Sequence, residues 1–168
     1  MIAAAARIAA AGRAAWPGVE VADATIVTNL EQRLVDDPQT HLDDLKDGYL
    51  YLAIALTGKD PIAVRAFEDK LVPQMDVALR RLRLAGGTAD EVKQALRVEL
   101  LADGKIADFA GRGVLGAWVR VSATRKALKL VRRADREETL DEILLDHWPS
   151  TTPDPAGKHL RSTYTAEL

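Results

Sequence analysis

Apolar residues recur along most of the chain at the three- and four-residue spacing of amphipathic helices, and no stretch alternates apolar and polar positions as a half-buried strand does. The pattern predicts an all-α fold. A first helix runs through the alanine-rich opening and is closed by Pro17 and Gly18; a second reaches about Leu34, where Asp36, Asp37 and Pro38 break it. Leu45, Tyr49, Leu52 and Leu56 form one stripe of a third helix, stopped by Gly58. Asp60 and Pro61 open the next, because proline in the first turn forfeits only an N–H that has no partner there, and Phe67, Leu71, Met75 and Leu82 continue it. Pro73 is expected to kink or split that run. After a Gly86 and Gly87 turn, Thr88 and Glu91 make a capping-box pattern that starts a helix to about Ala102, ended by Gly104. A loop from Lys105 to Gly116, holding Phe109, Gly111 and Gly113, leads into a long helix ending near Arg133 or Arg136. Beyond it, Leu140 to Trp148 reads as a short helix and Ser150 to Gly157 as a linker, after which another helix begins.

Composition narrows the chemistry. The chain has 168 residues, 48% of them hydrophobic, enough for one buried core. A formal net charge of only -2 does not suit a protein that coats nucleic acid indiscriminately, so any basic surface must be local. The absence of cysteine excludes a disulfide framework, a thiol nucleophile and thiolate metal sites, and three scattered histidines argue against zinc. Asp43, Asp44 and Asp47 read as a solvated helix face rather than metal ligands. Dispersed acids and the lack of a phosphate-cradling glycine motif before a helix speak against an enzyme, and no cofactor is expected. Arg7 and Arg13 interrupt the opening alanine run, which therefore lacks the apolar centre of a secretory signal. An acid-free, arginine-bearing start also suits a transit peptide, but alanine's helix propensity explains it without targeting. No apolar stretch approaches the roughly 18 residues of a membrane span, and a cytoplasmic location is expected.

Charge is distributed unevenly. From Arg112 to Arg136 the basic residues are Arg112, Arg120, Arg125, Lys126, Lys129, Arg132, Arg133 and Arg136, against the single acid Asp135. At about 100° per residue, Ala117, Val121, Thr124, Leu128 and Val131 share a stripe expected to face the core. Arg125, Lys129, Arg132, Arg133 and Arg136 gather on another, Trp118 projects with Arg125, Lys129 and Arg136, and Arg120 points elsewhere. Cations attract phosphates and an indole among them offers a stacking surface, a pairing suited to a partly single-stranded ligand. A tryptophan wedged into the core beside a merely solvated charged stripe is the alternative from this helix alone.

The segments DEVKQALRVELL (Asp90 to Leu101) and GAWVRVSATRKALKLVRR (Gly116 to Arg133), with the glycine-containing loop between them, resemble region 2 of sigma-70 family RNA polymerase sigma factors in order and spacing. Upstream, GKDPIAVRAFE (Gly58 to Glu68) is similar to the family's first region-2 helix junction. The likeness spans roughly Leu45 to Arg136 and is nearest a divergent group found in myxobacteria and their relatives. It implies a sigma region 2-like helical bundle at 41–149, extra N-terminal helices at 1–40, and a linker with the start of a C-terminal helix at 150–168.

The resemblance also implies a division of labour. The helix matching Asp90 to Leu101 would dock on the clamp helices of the β′ subunit of core RNA polymerase through exposed Asp90, Glu91, Lys93, Gln94 and Arg97. The Lys105 to Gly116 loop, with Arg112, and the residues Trp118, Arg120, Arg125, Lys126, Lys129, Arg132 and Arg133 would bind the promoter's minus-10 element, hold it open and capture a flipped base. Gly111 and Gly113 would give that loop a close backbone approach and an adjustable pocket. An anti-sigma protein is a further partner the resemblance leaves room for. Family members commonly carry glutamine then glutamate where Lys93 and Gln94 stand, and an arginine-asparagine pair and a later aspartate where Thr124, Arg125 and Lys129 stand, which makes this helix more basic than usual. A complete factor carries a second helix-turn-helix domain for the minus-35 element; nothing here matches it, so the expectation is a fragment cut before that domain or a factor without one. The other reading is a helical interaction module that keeps the sigma fold and regulates without melting promoters.

Overall fold

A computed structural model describes residues 1–146, and every regular element in that range is helical. The chain divides into two units, Met1–Leu130 and Val131–Leu168. The all-α expectation holds among the described residues.

Helix α1 (Ile2–Ala15) stops ahead of Pro17 and Gly18, the latter at φ +85°, where glycine pays no steric penalty. Helix α2 (Asp23–Asp36) follows, then a 3-10 turn, Leu42–Asp44, and helix α3 (Asp47–Thr57). Every residue from Leu50 to Leu56 is buried, so the single apolar stripe expected for this helix is corrected. Both α1 and α2 pack against α3, and a helix enclosed by neighbours is apolar all round. Leu45 lies in the turn ahead of α3 rather than on it. The α1 backbone rests on the ring of Tyr51, where a Cβ on Gly12 would stand 1.9 Å from Cγ. The buried Tyr51 hydroxyl donates to the Val19 carbonyl at 2.9 Å and accepts from the Val21 N–H at 3.1 Å, which ties the α1–α2 connection to α3 and satisfies the hydroxyl. Arg7 crosses from α1 to Asp43 at 2.9 Å, Asp47 at 3.3 Å and the Leu42 carbonyl at 2.6 Å. Asp43 and Asp44 are exposed, as expected of a solvated face, but they lie in the 3-10 turn and not on α3, and Asp47 is largely covered beside Arg7.

Asp60 caps helix α4 (Pro61–Ala66), accepting from the N–H groups of Ile62 at 2.9 Å and Ala63 at 2.7 Å as the sequence predicts. A π turn, Phe67–Leu71, separates α4 from helix α5 (Val72–Leu79). Pro73 has no N–H for the carbonyl four residues back and its ring would collide there, and the wider turn accommodates both defects. Helix α6 (Thr88–Arg97) is capped by Gly87 at φ +83°, and no side chain caps it. Thr88 is therefore the first helical residue, one position too far in for its hydroxyl to cap, and the capping-box expectation is corrected. A π turn, Val98–Ala102, ends this run, and a 3-10 turn, Lys105–Asp108, buries Ile106 and leads to buried Phe109.

Helix α7 (Leu115–Asp146) runs well past its expected end and takes in Leu140, which the sequence pattern assigned to a separate helix. Trp148, the linker at 150–157 and the final helix lie outside the described residues. The core face of α7 also differs from expectation. Leu115, Val119, Ala123 and Ala127 are completely buried, whereas Val121 is 48%, Leu128 43% and Val131 37% exposed. Small Ala123 and Ala127 let the helix lie close to its neighbours, and glycine at 116 brings its first turn against Gln74, whose Cγ would be 3.2 Å from an added Cβ. No helix among the described residues is long and apolar enough to cross a membrane.

Candidate nucleic-acid interface

Trp118 projects from the first turns of α7 at the border between core and solvent. It is half-buried, and its ring meets Phe109 edge-on with centroids 5.9 Å apart and planes at 65°. Phe109, 2% exposed, holds the indole from the core side. The other side of Trp118 lines an open groove of roughly 330 Å³, whose walls include Arg125 and Lys129 from α7 and Lys105 and Asp108 from the loop. Both Arg125 and Lys129 are exposed and without a hydrogen-bond or ion-pair partner among the described residues. An aromatic wall and two cations without such partners therefore face the same open groove.

The other cations expected in the site are differently placed. Lys126 donates to Glu99, which also meets Lys105 at 3.5 Å. The hydrogen bond from Lys126, helped by the charges of Lys126 and Lys105, holds the Glu99 carboxyl below the ordinary glutamate range. Glu99 and Asp108 bring two acids to the groove that the sequence pattern did not reveal, because both arrive from outside α7. Arg120 points away, as its angular position predicted, and donates to the Gln74 side-chain carbonyl. Arg112 donates to Asp37 and, at 3.0 Å, to the Thr40 hydroxyl. Hydrogen bonding from Arg112, then from the Gln39 N–H, lowers the Asp37 carboxyl from its usual range. Arg132, Arg133 and Arg136 are exposed and belong to the second unit. Within the first unit, Arg112, Arg120 and Lys126 are thus engaged by other side chains, and of its cations on α7 Arg125 and Lys129 face the groove without such a partner among the described residues.

Gly111 corrects the expectation of an adjustable loop pocket. It is buried at φ +79°, a Cβ there would lie 3.2 Å from Leu45 Cδ2, and its carbonyl accepts from the Lys46 N–H at 2.7 Å. This glycine is a fixed corner pressed on the turn before α3. Gly113 is open and exposed.

On α6, Asp90, Glu91 and Gln94 are exposed, as expected for a partner face. Lys93 and Arg97 are not free members of it. The Lys93 ammonium lies 3.0 Å from Asp76 and 2.9 Å from Asp90, and Arg97 Nε donates to both Glu68 oxygens at 3.0 and 3.1 Å. Because α6 packs beside α5, these long side chains fold back to acids on that side. The hydrogen bond to Asp90, with a second to Asp76, raises the Lys93 pKa, and the same contact lowers that of Asp90. The exposed α6 edge is continued by Val98, 46% exposed. Among the described residues, no three histidine, aspartate or glutamate side chains gather as ligands of a metal ion would. Compared with models of known protein families, with curated proteins and with solved structures, the chain matches none.

Proposed function

We propose that this chain is a DNA-binding transcription initiation factor of the sigma type, acting in the cytoplasm with core RNA polymerase on the promoter minus-10 element. The carrying observation is the half-exposed Trp118 indole in an open groove beside Arg125 and Lys129, neither of which has a hydrogen-bond or ion-pair partner among the described residues. Phosphates of either duplex or opened DNA are drawn to the two cations, whereas the indole face is available only to a base that has left its stack. Binding that is tighter for the opened form shifts the duplex toward melting without any fuel. The polymerase clamp is taken up by α6 through Asp90, Glu91 and Gln94, with Lys93 and Arg97 serving to hold that helix in place.

Binding to forked minus-10 DNA and to the matching closed duplex tests this reading. Stacking on an aromatic side chain contributes about 1 to 3 kcal/mol per base, so Trp118→Ala should weaken the forked ligand by roughly 5- to 150-fold and the duplex far less. Arg125→Ala should weaken both and lower the salt slope by about one. If the double variant binds forked DNA as the parent does, the reading fails.

A second reading is a regulatory interaction module that binds the polymerase clamp and does not melt promoters. It is favoured by the engagement of Lys126 with Glu99, Arg112 with Asp37 and Arg120 with Gln74, which leaves fewer cations for phosphate. A clamp complex that forms without promoter opening distinguishes it.

A further inference from the structure

A second groove, of roughly 630 Å³, runs between α5 and α7. Its floor includes Val77, Leu82 and Val121, and its rim carries Arg81, Arg120 and Arg125. Val77 is 38% and Val121 48% exposed, and Leu128, two turns further along α7, is 43% exposed. One exposed valine is ordinary, but apolar side chains converging on a concave strip mark an interaction site. The rim is equally selective. No aspartate or glutamate lines the groove, and neither Arg81 nor Arg125 has a hydrogen-bond or ion-pair partner among the described residues.

We propose that this groove docks an acidic amphipathic helix of a partner protein. Val77 and Arg81 on one side, and Val121 with Thr124 and Arg125 on the other, stand three or four residues apart along the walls of the groove, and an apolar stripe laid between them meets side chains from both walls. Carboxylates flanking that stripe come within reach of Arg81 on one side and of Arg120 and Arg125 on the other. A nucleic acid answers the arginines but leaves the valines against water or sugar, whereas an acidic helix answers both. Docking does not depend on the DNA reading. Where both hold, the helix competes with promoter DNA for Arg125, so such a partner restrains the factor.

The test uses the full chain and an 18-residue designed peptide with leucines at i, i+3, i+4 and i+7 and glutamates on either side, compared with its lysine counterpart and a scrambled acidic sequence. Fluorescence anisotropy should show the acidic amphipathic peptide binding at least roughly tenfold more tightly than either control, and methyl NMR should place its shifts at Val77, Val121 and Leu128. Val121→Glu and Arg81→Glu should each weaken it by roughly tenfold or more. Val121→Ser serves where the glutamate disturbs folding, and thermal unfolding by circular dichroism verifies each variant. Equal binding of the scrambled peptide overturns the proposal, as does indifference to every groove variant. It is likewise overturned if forked DNA, and not the peptide, responds to Val121→Glu. Loss of forked-DNA binding in Trp118→Ala is read separately and bears only on the DNA function.

Discussion

Phe109 stands edge-on against Trp118, and through that one ring contact the loop after α6 sets the orientation of the indole on α7. Because Phe109 is 2% exposed, Phe109→Ala should cost about 3 to 5 kcal/mol in urea unfolding. The milder Phe109→Leu should keep the fold yet lose the edge contact. With Trp16 and Trp148 replaced by phenylalanine, emission from Trp118 should then shift to the red and broaden. An unchanged spectrum would mean that Phe109 does not position the indole.

Gly12 offers a test in which two effects oppose each other. Helix propensity alone predicts that Gly12→Ala gains about 1 kcal/mol. The added methyl, however, would enter the Tyr51 ring at 1.9 Å from Cγ, and forcing that overlap costs about 1 to 3 kcal/mol or more. Sterics should win, giving net destabilisation by chemical denaturation and weakening the Tyr51 hydrogen bonds to Val19 and Val21. A stabilised variant would show that α1 does not lie directly on the ring.

Asp37 accepts a hydrogen bond from the Arg112 guanidinium. Asp37→Asn should release that guanidinium, tighten binding to forked DNA modestly, and steepen the salt dependence by about one counterion. Thr40→Val, which removes the weaker contact, should do less. Equal salt slopes for parent and Asp37→Asn would place Arg112 outside the DNA contact.

Hydrogen bonding from Lys126 depresses the Glu99 carboxyl. A carboxyl lower in the folded than in the unfolded chain stabilises the fold above its unfolded pKa, and that contribution disappears as pH falls through the folded pKa. Acid should therefore break the Lys126–Glu99 tie and free a cation beside the Trp118 groove. Carboxyl carbon NMR should find the Glu99 midpoint below the ordinary glutamate range, returning upward in Lys126→Met. A midpoint indifferent to Lys126→Met would refute the assignment.

Helix boundaries were largely written into the chain because local chemistry sets them. Pro17 and Gly18 end α1, and Asp60 with Pro61 starts α4, through groups a few residues apart. The basic segment was equally visible, and so was the shared face of Trp118, Arg125 and Lys129, since a helix repeats its faces at a known angle. What periodicity could not choose was the phase of α7. Its Leu115, Val119, Ala123 and Ala127 stripe lies about 140° from the Ala117, Val121, Thr124, Leu128 and Val131 stripe, and the larger side chains made the latter look like the core. Close packing on neighbouring elements selected the smaller residues instead, and burial depends on the opposing surface as much as on the helix. The same reason hid which cations stay free. Glu99, Asp37 and Gln74 lie 27, 75 and 46 residues from the basic side chains they hold, and only folding brings them within reach.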